Sequence, residues 1–262
     1  MSEEFHWQQD LEKLRALPEK EQLRLAKKVS VTTTQDFSHM FTRASGPYVF
    51  TTSGKRFLDF SSCVGSFNFG HGREDILEAK IKQYRRLDGF HDHDWSTDIA
   101  TLLKLRLAEV TPGGFPKKVF LANSGTEAVE AAIKLSIDMR PERDVFAHFD
   151  GSFHGRTLGS LSLHGSKPVH REHFPKALKT VSLPFPSYDV TDFGRRFFDK
   201  LTEACPKNKK GYEEINAIFI ELVQGEGGIN AAHEGLVKQI KIFCEDNGIY
   251  LVVDEVQTGF WR

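Results

Sequence analysis

The run Leu251-Val252-Val253 leads directly into Asp254-Glu255-Val256-Gln257-Thr258-Gly259. An acid behind a buried apolar run is costly unless something positive meets it. Two chemistries place a carboxylate there. One is a Walker-B-type acid holding a magnesium-bound nucleotide. That reading needs an earlier Gly-x-x-x-x-Gly-Lys-[Ser/Thr] loop. The nearest fragment, Ser53-Gly54-Lys55-Arg56, lacks the first glycine and the final hydroxyl residue. The other is a carboxylate paired with the protonated ring nitrogen of a heterocyclic cofactor.

Three more motifs carry possible chemistry. In Leu121-Ala122-Asn123-Ser124-Gly125-Thr126-Glu127 an apolar run meets a helix start, and Ser124 with Glu127 fits a capping box. Free N–H groups and the helix dipole there suit a phosphate, and the Ser124 and Thr126 hydroxyls add donors. Read alone, it is an ordinary capped helix. Phe153-His154-Gly155-Arg156-Thr157 follows the run Val145 to Phe149. Phe153 offers a flat stacking face and Arg156 a fork for a carboxylate; the plainer reading is a loop with a surface arginine. Glu221-Leu222-Val223-Gln224-Gly225-Glu226-Gly227-Gly228 puts two acids and three glycines after the run ending at Ile220. Its plainer reading is a flexible loop.

The surrounding sequence supplies elements to position these residues. Leu11, Leu14, Leu17, Leu23 and Leu25 predict amphipathic helix within residues 1–30, broken at Pro18. Val49-Phe50 and Phe57-Leu58 flank a polar turn, which predicts a hairpin over Gly46 to Phe60. Ile76, Leu77, Ile81 and Tyr84 recur at helical spacing, as do Ile99, Leu102, Leu103 and Leu107. The helix after Ser124 should bury Val129, Ala132, Ile133 and Ile137. Short apolar runs at Val119 to Leu121, Val145 to Phe149, Ala217 to Ile220 and Ile249 to Val253 alternate with helical stretches, the pattern of a buried parallel sheet. The last helix carries Leu236, Val237, Ile240, Phe243 and Cys244 on one face and stops at Asn247-Gly248. Ligands of open α/β sheets collect at the carboxyl ends of strands, where all four motifs fall.

Composition narrows the classes. Lys+Arg is 35 against Asp+Glu at 36, so no global basic field favours nucleic acid. No apolar run reaches the length of a membrane span, and the polar start MSEEFHWQQD is unlike a signal peptide. Cys63, Cys205 and Cys244 are too few and too scattered for a disulfide frame or a zinc site, which points to a cytoplasmic protein.

Taken together and in this order, the motifs resemble the class III pyridoxal-phosphate aminotransferases, the ornithine, acetylornithine and 4-aminobutyrate aminotransferase group. The likeness includes Gly46-Pro47-Tyr48-Val49-Phe50, Phe57-Leu58-Asp59-Phe60 and Gly70-His71-Gly72 and runs to Arg262. The resemblance implies a fold type I large domain with a mostly parallel sheet, incomplete at the C-terminus, over residues 66–262. It also implies an N-terminal helix and hairpin segment over residues 1–65, with the C-terminal domain absent. The implied cofactor is pyridoxal 5'-phosphate. Ser124, Gly125 and Thr126 match the phosphate turn, Phe153 the ring-stacking aromatic, His154 and Glu221 residues near the cofactor, and Asp254 the partner of the ring nitrogen. Val256 matches the residue beneath the ring and Gln257 the partner of the ring hydroxyl. Tyr48, Arg156 and Glu226 match substrate-side positions. Implied too are an amino acid or omega-amino donor, a 2-oxo acid acceptor such as 2-oxoglutarate, and a homodimer for the intact protein.

Leu222 stands where the family usually has Pro, and Thr51 where it often has Asp. The weightier departure is the Schiff-base lysine, which the family places downstream of Asp254. The last lysine here is Lys241, inside the predicted helix. The expectation is therefore a C-terminally truncated chain, inactive alone: a fragment or one half of a split enzyme. Two alternatives stand beside it. One is a non-catalytic remnant that binds the cofactor. The other is a metal-dependent hydrolase built on His91-Asp92-His93-Asp94 and on His170 with His173.

Overall fold

The computed structural model describes residues 7–30, 38–90, 94–188, 192–204 and 212–260. It divides into two compact units, Met1–His91 and Asp92–Arg262.

The first unit opens with helices α1 (Trp7–Ala16) and α2 (Glu19–Val29), broken at Pro18 as the sequence predicts. The buried Gln22 closes the corner, its Nε2 donating to the Leu17 carbonyl at 2.7 Å. The predicted hairpin is the pair β2 (Tyr48–Thr51) and β3 (Arg56–Leu58), and β1 (Phe41–Ser45) adds a third antiparallel strand. A single turn, α3 (Ser62–Gly65), and helix α4 (Glu74–Arg86) follow. The apolar residues Ile76, Leu77, Ile81 and Tyr84 of α4 are exposed.

The second unit contains α5 (Asp98–Val110), α6 (Gly125–Met139), β4 (Val145–Phe149), α7 (Leu158–Ser162), β5 (Lys179–Leu183), α8 (Phe193–Ala204), β6 (Ile215–Glu221), the ribbon β7 (Val223–Gln224) and β8 (Asn230–Ala231), α9 (Glu234–Asn247) and β9 (Tyr250–Asp254). Strands β5-β4-β6-β9 form one sheet in that order, and every pair is parallel. Strands β4 and β6 are buried at every position, so they read as continuous apolar runs. Residues alternate between two cores. Ala217 and Phe219 pack with Phe146 and with Val129 and Ile133 of α6. Ile218 and Ile220 pack with Phe197 and Leu201 of α8 and Ile240 and Cys244 of α9. Asn216 locks α6 to β6, its Nδ2 facing the carbonyls of Ser136, Arg140 and Arg143 at 3.1, 3.1 and 2.9 Å. Helix α9 ends at Gly248 in the left-handed conformation (φ 60), as its sequence position predicts.

Two expectations fail. Val119 to Leu121 joins no ladder among the described residues: a three-residue apolar run is too short to be a strand unless a neighbour pairs with it. Ile137 is 39% exposed because Ser136, one position earlier, takes the buried place one turn after Ile133. No helix of the described residues is long and apolar enough to cross a membrane.

Candidate functional site

Because the sheet is parallel, β4, β6 and β9 deliver their carboxyl ends to one edge, and Glu221 and Asp254 are register partners there. Each acid then ties a loop down. Glu221 is buried; its Oε2 accepts the Phe153 N–H at 2.9 Å and its Oε1 the Gly225 N–H at 3.3 Å. Burial disfavours the charged form and pushes the Glu221 carboxyl above its ordinary value.

Asp254 meets His154 across the edge, Oδ2 to Nδ1 at 2.8 Å. The His154 side chain is 0% exposed and that of Asp254 7%. An ionised carboxylate only accepts, so the imidazole proton sits on Nδ1. The His154 Nε2 is buried and has no protein partner. The other oxygen of Asp254 accepts the Val256 N–H at 3.0 Å. Each oxygen thus keeps a spare lone pair for a further donor. Deeper in the sheet, burial and then nearby His154 push the His148 imidazole down to about 3, which keeps it neutral.

The start of α6 reaches the same edge. The Ser124 Oγ accepts the Glu127 N–H at 3.3 Å, as the capping box predicts. The Glu127 carboxylate returns to the Asn123 N–H at 2.7 Å, one residue before the cap. At Gly125 a Cβ would lie 2.6 and 2.8 Å from the two Cγ atoms of Val256, so bare backbone is required for this approach. At Gly155 (φ 129) a Cβ would strike the Thr126 and Ser160 hydroxyls. The loop carrying His154 therefore touches both Asp254 and the first turn of α6. Gln257 lies over Gly225, where a Cβ would come within 2.6 Å of its Cδ.

Phe153 is half-buried, its ring edge-on to His164 at 5.1 Å and to His170 at 6.4 Å. Arg156 is exposed. Glu226, also exposed, pairs with Lys167 at 3.3 Å. Tyr48 belongs to the first unit, with the Arg56 guanidinium 4.7 Å above its ring. Val223 and Gln224 pair with Ala231 and Asn230, so part of the predicted glycine-rich loop is an ordered ribbon. His91, Asp92 and His93 lie outside the described residues. Among the described residues no group of three metal-ligating side chains comes together, and His173 pairs with Glu172.

The family model "Aminotransferase class-III" matches residues 29–262. The acetylornithine aminotransferase of Aquifex aeolicus is 36% identical over 85% of this chain and 55% of its own length. A solved ornithine aminotransferase from Toxoplasma gondii superposes with a TM-score of 0.81 at 21% identity, over 99% of this chain and 58% of that one. An (S)-enantioselective omega-transaminase from Thermomicrobium roseum superposes with a TM-score of 0.76 at 28% identity, over 91% and 57%. The chain spans about half the length of the curated relatives it matches.

Proposed function

We propose, for a chain that belongs to the class-III aminotransferase family, that the strand-end site holds pyridoxal 5'-phosphate and serves amino-group transfer. What carries the reading is the convergence of Asp254, held by His154 at 2.8 Å, with the helix start at Gly125, which lies against Val256. The residues fit the cofactor: Asp254 is a nearly buried carboxylate with acceptor capacity to spare, and uncapped N–H groups face the same edge. When bound, pyridoxal phosphate supplies an electron sink for the substrate carbon that bears the amino group.

Each residue then has a task. Asp254 holds a proton on the ring nitrogen, and His154 fixes the direction of its carboxylate. The backbone N–H groups of Gly125 and Thr126, with Ser124, hold the phosphate. Phe153 and Val256 take the two ring faces, Gln257 the ring hydroxyl, and Glu221 sets Phe153 through its backbone N–H. Arg156 and Glu226 serve the substrates, an amino donor and a 2-oxo acid such as 2-oxoglutarate. The matching enzymes carry different substrate names, so the donor stays a class: an amino acid or an omega-amino compound. The intact protein on this reading is a cytoplasmic homodimer.

The proton-shuttling lysine of the family lies outside these 262 residues on this reading. Lys241, the last one present, sits in α9 and pairs with Glu245 at 2.8 Å. The test is titration of the purified chain with pyridoxal phosphate, then borohydride reduction and peptide mapping. Saturable, phosphate-dependent binding with no single lysine labelled is expected. Absence of binding overturns the cofactor assignment, and stoichiometric labelling of one lysine overturns the assignment of that residue elsewhere.

A further inference from the structure

Beside the site lies a closed hydroxyl cluster that none of these tasks uses. Thr126, Thr157 and Ser160 form a triangle, with oxygen separations of 2.9 Å (Thr126–Thr157), 2.7 Å (Thr126–Ser160) and 2.9 Å (Thr157–Ser160). Glu130, one turn along α6, accepts from the Thr157 hydroxyl and from the Ser160 N–H at 2.9 Å. At Gly159 a Cβ would come within 2.8 Å of the Glu130 Cδ, so the chain approaches this carboxylate as bare backbone.

We propose that Glu130 is a positioning residue. It clamps the loop carrying Phe153, His154 and Arg156 onto the first turn of α6, because one carboxylate accepts both a hydroxyl and a backbone N–H from the chain that follows that loop. The inference rests on the cofactor reading above. A carboxylate oxygen only accepts, so the Thr157 proton is committed to Glu130. Thr157 can then only accept from Thr126 or Ser160, and these contacts tie the loop to the first turn of α6.

The test compares dissociation constants of pyridoxal phosphate and pyridoxal for the full chain, together with amide exchange at Ser160 without ligand. Ser124→Ala should lower the preference for the phosphorylated ligand about tenfold, the size of a hydrogen bond to a charged group. Glu130→Ala should weaken both ligands about tenfold, because the loop that meets the ring is released, and should speed Ser160 exchange by at least as much. Glu130→Gln, which keeps an acceptor oxygen, should restore both readings to within about threefold. Unchanged Ser160 exchange in Glu130→Ala overturns the clamp. If the unmodified chain shows no preference for the phosphate, the cofactor reading is what fails. The clamp is then judged without ligand, by Ser160 exchange.

Discussion

Replacing Gly125 by alanine probes the closest approach between the helix start and the acid-bearing strand end. The new methyl would sit 2.6 Å from Val256 Cγ1, 2.8 Å from Cγ2 and 3.3 Å from Cβ. Carbon atoms rest about 3.5–4.0 Å apart, so the overlap is roughly 1 Å. Valine is stiff at χ1 and cannot yield without leaving its rotamer. Overpacking of this kind costs about 1–3 kcal/mol. Val256 is 56% exposed, so Val256→Ala alone should change stability by only about 0.5 kcal/mol. Removing both Cγ atoms leaves room for the methyl, so the double variant should recover about 1–2 kcal/mol of the Gly125→Ala loss. Urea unfolding followed by circular dichroism measures all four corners of the cycle. Strict additivity, within about 0.5 kcal/mol, would refute the contact and with it the approach of the helix start to the acid-bearing strand end.

Three further outcomes follow from buried polar groups. The raised Glu221 carboxyl lets the folded chain keep a proton that the unfolded chain has lost. Stability should therefore fall as pH rises above the ordinary value of 4.5 toward the folded value, and Glu221→Gln should remove that fall in a melting series. His148 works in the opposite sense. Its pKa of about 3 against 6.5 unfolded means stability declines as pH drops below 6.5, by about 1.4 kcal/mol per pH unit, and His148→Asn should flatten that limb of the profile. Asn216→Ala removes the amide that faces three carbonyls, of which those of Ser136 and Arg140 keep backbone partners, and should destabilise by about 1–3 kcal/mol in urea unfolding, with hydrogen exchange rising first at the C-terminal end of α6.

The sequence made local features legible and left cross-chain ones hidden. The apolar run before Asp254, the Ser124 cap and the Gly248 stop are written in neighbouring residues, and the structure places each as expected. The strand β5 is not legible: Lys179–Leu183 alternates buried apolar positions with half-buried polar ones at the sheet margin, without the continuous apolar signature of β4 and β6. Val119 to Leu121 has the apolar signature and no ladder partner among the described residues, because burial alone does not pair a strand. The bond of His154 to Asp254 joins residues 100 positions apart, and only the strand order β4-β6-β9 brings them together. The same holds for Glu130, whose partners Thr157 and Ser160 come from the cap and first turn of α7. Its spacing one turn after Thr126 carries no signal by itself.

The most direct test of the site is the nitrogen-15 resonance of ring-labelled pyridoxal phosphate bound to the chain at neutral pH. A protonated ring nitrogen in the unmodified protein, converted to the unprotonated form in Asp254→Ala while phosphate-dependent binding persists, is the expected result. An unprotonated nitrogen in the unmodified protein, or one indifferent to Asp254, contradicts the assignment of that carboxylate.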